Sequence, residues 1–189
     1  MPASPFAAGW IGRLAPTDRG RRPAQDRGLP SRPPRALDLA MGRGRHAIVL
    51  ARHGFQTFGV DIKLDAVRDA VSEAAREDLT VRGWCADLTM FPLPAGAFDL
   101  LVVTRYLQRD LFAAIRGAVK PGGCVVYETF TVLQPALGFG PTTPDYLLEL
   151  GELRELFRGW EIVFYEEVAA PEAVARLVAR KPIGSSADL

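Results

Sequence analysis

An α/β fold, with a mostly parallel seven-stranded sheet and a C-terminal antiparallel hairpin, is predicted by three observations. Apolar strand-like runs alternate with helical runs from Arg35 onward. A glycine turn, Gly42-Arg43-Gly44, separates the first strand of that series from its first helix. The last two strand-like runs, WEIVFYEEV and AVARLVARKP, lie only a few residues apart around Pro171. A parallel crossover needs about a dozen residues or more, so these two are expected to pair antiparallel.

Taken in order, Pro5 to Leu14 can form one short helix with Phe6, Trp10 and Leu14 on one side. Ala15 to Pro34 is rich in Pro, Gly and Arg and reads as a flexible arm. Residues 1–34 are therefore expected to stand apart from a domain spanning 35–189. Strands are expected near 35–40, 56–61, 80–85, 98–104, 122–129, 161–168 and 174–181. Helices are expected near 44–53, 64–77, 108–118 and 150–158. In the second of these, Val67, Ala70, Val71 and Ala74 recur at helical spacing and predict a buried stripe. Gly54 and Gly159 stand where helices end. Ala, Leu and Arg are good helix formers, so Val174 to Arg180 also admits a helix.

The segment from Arg35 to Ile62 carries the chemistry. An apolar run ending at Asp38 leads into Gly42 and Gly44, and Ala47 completes a G-x-G-x-x-[GA] spacing. Gly42 permits a sharp exit from the strand. Gly44 is expected to let the main chain approach a ligand, and Ala47 to let helix and strand pack closely. Asp61 follows Gly42 by 19 positions, near the spacing of about 20 for an acid that binds ribose hydroxyls. The pattern predicts a nucleotide-like cofactor at the C-terminal strand ends. Asp38, four positions before Gly42, is a carboxylate where dinucleotide sites carry apolar residues, and it suits a cationic ligand.

The run D-L-A-x-G-x-G-R-H from Asp38 to His46, followed by Gly59-Val60-Asp61, resembles the class I S-adenosylmethionine-dependent methyltransferases. It is most similar to small bacterial members of the tellurite-resistance-methyltransferase-like group. The resemblance extends through Leu148 to Trp160, which reads as that group's L-x-x-G-E-L-x-x-L-F-x-G-W. It implies a Rossmann-like methyltransferase sandwich and S-adenosylmethionine as cofactor. It also implies a cofactor site drawn from Asp38, Ala40, Gly42, Gly44, Arg45, His46, Asp61, Ile62, Asp87, Leu88 and Thr104. Within that set, the resemblance gives Asp87 the adenine amino group and Leu88 a backbone N–H to the ring.

Thr104-Arg105-Tyr106 falls at the end of the fourth strand, where sites form in open α/β sheets. The resembling group carries Asn-Tyr-Leu-His-Arg where this chain has Arg105-Tyr106-Leu107-Gln108-Arg109. Tyr106 and Arg109 are kept, while Arg105 and Gln108 depart, as does Met41 from a cysteine. Tyr106 and Glu128 are the candidate catalytic residues, and Glu128 also reads as a solvated strand-end acid. Lys120-Pro121-Gly122-Gly123 reads as a structural turn. Gln134 to Asp145, rich in Gly and Pro, is long enough to act as a lid.

Composition bounds the alternatives. A net charge of +1 gives no global argument for nucleic acid or a membrane surface. Only three of the 23 basic residues are lysines. Seven arginines between 13 and 35 could dock nucleic acid, but no aromatics interleave them in the Pro/Gly-rich arm. Cys85 and Cys124 have no metal spacing, so no metal and a reducing, cytoplasmic setting are expected. Neither a signal peptide nor a bilayer-spanning run is expected. The expectation is a methyltransferase acting on a small molecule. The competing classes are a nicotinamide-dependent oxidoreductase, disfavoured by Asp38 and the hairpin, and a non-catalytic S-adenosylmethionine-binding regulator.

Overall fold

A computed structural model describes residues 2–16, 32–90 and 92–184. Seven strands form one sheet in the order β3-β2-β1-β4-β5-β7-β6. They are β1 (Arg35–Leu39), β2 (Gln56–Asp61), β3 (Val81–Cys85), β4 (Phe98–Thr104), β5 (Val119–Phe130), β6 (Glu161–Val168) and β7 (Val174–Arg180). β1 to β5 are parallel, and β7 lies antiparallel between β5 and β6. The strand reading of residues 174–180 therefore prevails over the helical one. Its burial against β5 and β6 explains why: five of its seven residues are buried. Helix propensity is a weak preference that tertiary packing overrides.

Helices cover both faces. On one side lie α1 (Pro5–Leu14), α2 (Arg45–Arg52) and α3 (Leu64–Arg76); on the other lie α4 (Phe112–Ala118) and α5 (Glu152–Leu156). The second face is filled by aromatic rings, with Phe112 stacked on Tyr127 at 5.4 Å and Phe157 packed edge-on against Trp160 at 5.3 Å. In α3, Val67, Ala70 and Ala74 are buried, but Val71 is 37% exposed and lies off the buried stripe. Gly54 and Gly159 both have left-handed φ, at 82° and 84°, as their helix-end positions require.

α1 belongs to the core. Ala7 and Ile11 are fully buried among Leu50, Leu100, Val102 and Val126, while Phe6 and Trp10 pack on Phe164 at 5.6 and 5.7 Å. Helix periodicity marks α1 as a helix and says nothing of the distant surface it meets. Most of the arginine-rich arm, 17–31, lies outside the described residues.

The strand order reverses between β1 and β4, the topological switch at which open α/β sheets bind ligands beyond their carboxyl ends. The residues after β1, β2, β3 and β4 therefore converge at one edge.

Candidate functional site

The turn after β1 is built around two acids. Asp38 Oδ2 accepts the Ala47 N–H at 2.8 Å, fixing the start of α2 to β1. Asp61 Oδ2 accepts the Gly42 N–H at 2.8 Å, and its Oδ1 accepts the Lys63 N–H at 2.9 Å. The turn is thereby tied to the end of β2. Ala40, Gly42 and Gly44 all have positive φ, at 53°, 53° and 76°. Only Gly44 is also sterically confined: a Cβ there would sit 2.6 Å from the Ala70 Cβ. A Cβ on Gly42 would meet nothing within 4 Å. Gly44 is thus required for the packing of the turn against α3, whatever approach its main chain also allows a ligand. Met41 replaces the expected cysteine without loss of the turn, as the Gly44 N–H still reaches Met41 O at 2.9 Å. Its thioether lies over Gly59, where a Cβ would come within 2.0 Å of sulfur.

A cleft of about 480 Å³ opens beyond these turns. Ala40, Asp61 and Ile62 form one wall; Ala86, Asp87, Leu88 and Thr89 form a second; Arg105, Tyr106 and Gln108 close it. Asp87 Oδ1 accepts from the Thr89 hydroxyl at 2.7 Å and from the Thr89 N–H at 2.9 Å. These bonds hold the Asp87 carboxyl below its usual range. Oδ2 has no partner among the described residues. Acceptor oxygens at Asp61 and Asp87, with apolar Ile62, Ala86 and Leu88 between them, fit a ribose and a flat heterocycle.

Six other candidates are not among the residues that line the cleft. Asp38 is 1% exposed, and burial pushes its carboxyl up to about 7 against the opposing Ala47 hydrogen bond. Gly42 and Gly44 shape the turn. Arg45 is partly buried, and desolvation lowers its pKa. His46 is 1% exposed, accepts the Ser4 N–H at Nε2 at 2.9 Å, and meets Thr104 Oγ1 through Nδ1 at 3.1 Å. Burial, then the charges of Arg45 and Arg105, push His46 down to about 4. His46 and Thr104 therefore join α1 to the strand ends. Ser4, absent from the sequence candidates, completes that link; its N-cap bond to Ala7 was its only local signal.

A second cavity, about 330 Å³, adjoins the cleft. Arg105 and Tyr106 line both. Phe130, Tyr146, Leu107 and Pro141 make the rest of the wall largely apolar, with Thr129 beside them. Tyr106 donates to Gln108 Oε1, while its carbonyl accepts the Tyr127 hydroxyl at 2.8 Å. Burial, with Asp110, Asp87 and Asp61 nearby, raises the Tyr106 phenol above its normal pKa. Glu128 lines neither cavity. It is 5% exposed and bonded to Arg176 Nε at 2.6 Å, and Arg176 also holds Glu166. That bond ties Glu128 to β7 and away from both cavities.

Arg109 shows why two parts of the sequence pattern occur together. Its guanidinium binds both carboxylate oxygens of Glu152, at 2.6 and 2.8 Å, and the carbonyl of Leu147 at 2.9 Å. The strand-end segment is thereby locked to α5, which puts Leu153 into the core and whose flanks add Leu148, Phe157 and Trp160. The loop between β5 and α5 is also anchored. Buried Gln134 donates to Phe139 O at 2.9 Å and accepts the Ala173 N–H at 2.8 Å. Among the described residues, no group of three or more His, Cys, Asp or Glu side chains could hold a metal, and no helix is long and apolar enough to cross a membrane.

Residues 36–123 match a family model described as a methyltransferase domain. The chain is 28% identical over 143 residues to hemagglutinin 1 of Eikenella corrodens, covering 71% of this chain and 46% of that protein. It is 37% identical over 87 residues to a demethylmenaquinone methyltransferase of Thermus thermophilus, covering 45% of this chain and 40% of that one. The chain spans less than half the length of these curated relatives. A solved S-adenosylmethionine-dependent methyltransferase from Mesorhizobium loti superposes with a TM-score of 0.64 at 24% identity, covering 81% of this chain and 94% of that one. The family match spans 88 of the 189 residues, and the solved structure shares the Rossmann-like fold of this chain.

Proposed function

We propose that this protein transfers the methyl group of S-adenosylmethionine to a small acceptor. The observation that carries the reading is the pairing of two cavities. A cleft with nucleoside-like complementarity meets a separate, mostly apolar cavity, and Arg105 and Tyr106 stand in both walls. Asp61 accepts the ribose hydroxyls. Asp87 accepts from the adenine amino group, the Leu88 N–H binds the ring, and Ile62 packs on it. Asp38 faces the cationic amino group, and the turn from Ala40 to Gly44 makes room for the aminoacyl arm. Arg45, His46 and Thr104 support that turn from behind.

The bound cofactor supplies an electrophilic methyl group on a sulfonium. The protein's own contribution is to align the acceptor and exclude water. Tyr106, at the junction, orients the acceptor. The membership in the tellurite-resistance-like group is supported by the run from Leu148 to Trp160 and by Tyr106 and Arg109. A small-molecule acceptor is favoured by the modest apolar cavity. A cytoplasmic setting accords with the free thiols of Cys85 and Cys124.

Calorimetric titration with S-adenosylmethionine, S-adenosylhomocysteine and NAD tests the reading. The first two are expected to bind and NAD is not. Binding of NAD alone would overturn it.

A further inference from the structure

We propose that the acceptor is a small aromatic acid, methylated on an ionised oxygen that Arg105 holds. The inference rests on the methyl-transfer reading and adds the substrate class. Among the described residues, Arg105 is the one cation in the walls of the second cavity, where three of the seven lining residues, Tyr106, Phe130 and Tyr146, are aromatic. Its guanidinium lies 5.4 Å from the centre of the Phe130 ring. Nη2 alone makes both bonds to Glu172, each at 2.7 Å. Nε and Nη1 have no partner among the described residues. Arg105 also has φ of 55°, so its guanidinium is presented from a backbone conformation that a β-substituted residue adopts only under strain.

Position and charge together select the acceptor. Arg105 is shared with the cofactor cleft, so an acceptor group bound to it lies beside the cofactor. Glu172 offsets part of the Arg105 charge from Nη2, and an anion on Nε or Nη1 would screen what remains from the sulfonium. Among the described residues, the cavity wall has no carboxylate and no imidazole to take a proton, and Glu128 is bonded to Arg176. A neutral hydroxyl or ammonium would retain its proton there, whereas an ionised oxygen needs no base. Its lone pair forms the new oxygen–methyl bond as the methyl–sulfur bond breaks. The electron pair of the broken bond remains on sulfur, and the negative and positive charges cancel. A carboxylate yields a methyl ester and a phenolate a methyl ether.

Benzoate and 4-nitrophenol are the oxyanion probes, with benzyl alcohol and aniline as neutral controls of similar shape. Binding is read by NMR line broadening and, for 4-nitrophenol, by the phenolate absorbance band across pH, with and without S-adenosylhomocysteine. The oxyanions should bind about tenfold or more tighter than the controls, as one charge-assisted hydrogen bond allows. Bound 4-nitrophenol should ionise at lower pH than when free. Arg105→Gln should remove the preference, and Arg105→Lys, which keeps the charge, should retain part of it. Glu172→Gln, which leaves Arg105 in place and relieves it of a competing anion, should increase the preference. The relative response of the two oxyanions distinguishes carboxylate from phenolate. Equal binding of charged and neutral probes, or a preference unmoved by either variant, would overturn the proposal. Failure of S-adenosylmethionine to bind in a protein that still prefers oxyanions would instead count against the methyl-transfer reading.

Discussion

The two cavities are walled in different ways. The cofactor cleft is shaped largely by backbone: a glycine turn, two acids tied to main-chain N–H groups, and the ends of four neighbouring parallel strands. The second cavity is shaped by side chains brought from the ends of β4 and β5 and from the loop beyond Gln134. Errors in the first region should therefore disturb folding and cofactor binding together. Changes in the second should alter the acceptor and leave the fold intact.

The largest expected effect lies at Gly44. A valine there meets Ala70 and must also adopt a left-handed φ, so Gly44→Val should destabilise the domain by about 3 kcal/mol or more. A lowered thermal midpoint should accompany loss of S-adenosylmethionine binding. Binding loss in a fully stable variant would show that Gly44 serves the ligand alone.

Asp61→Ala comes next. It leaves the Gly42 and Lys63 N–H groups without their carboxylate and removes the proposed ribose acceptor. Affinity should fall by about 1.5–3 kcal/mol, the contribution of charged hydrogen bonds. Calorimetry giving an unchanged affinity would confine Asp61 to holding the turn.

The extent to which each region was legible follows from the same contrast. Strands stood out because apolar runs were bounded by glycines and acids, and the close spacing of WEIVFYEEV and AVARLVARKP required the hairpin. Asp61 stood out by its spacing from Gly42 and Asp87 only through the family resemblance, and both line the cleft. His46 was not: its partners Ser4 and Thr104 lie 42 and 58 positions away. Glu128 read as solvated because Arg176, 48 positions on, gives no local signal. Arg105 was visible only as a departure, since neither its ion pair with Glu172 nor its place in both cavities follows from neighbouring residues. Periodicity identified α1 as a helix but not its docking on Phe164.

A smaller effect is expected from pH, and it separates ligand binding from folding. The Asp38 carboxyl is pushed up to about 7 by burial. A cationic amino group beside it favours the ionised form, so S-adenosylmethionine affinity should rise with pH through about 7. It should be about tenfold weaker at pH 6 than on the plateau. The gain should stop near the ligand amine's own pKa of about 7.7–8.0. Stability of the empty protein should run the other way. Folded Asp38 keeps its proton above the 3.8 of the open chain, so its contribution is full below that pH and lost as pH rises through about 7. Asp38→Asn should flatten both trends. Calorimetric titrations from pH 6 to 8 with a pH-independent affinity would remove Asp38 from the ammonium site.

The smallest effect is expected at the acceptor rim. The loop beyond β5 is fixed at one end by Gln134 and at the other by Arg109, while Phe139 and Tyr146 between them are 50% and 58% exposed. Such anchoring limits any closure to the exposed tip, which would bring apolar area over the cavity and exclude water from the reacting centre. Phe139→Ala should leave the thermal midpoint and cofactor affinity near wild type, because the ring is half exposed and lines neither cavity. Turnover should fall by several-fold, consistent with about 1 kcal/mol from a partly buried ring. Hydrogen exchange should slow at residues 138–146 only when cofactor and acceptor are both bound, with the Gln134 anchor protected in every state. Exchange unchanged by ligands, together with normal turnover of the variant, would leave the acceptor cavity open at its rim and its selectivity to Arg105 and the ring-lined wall.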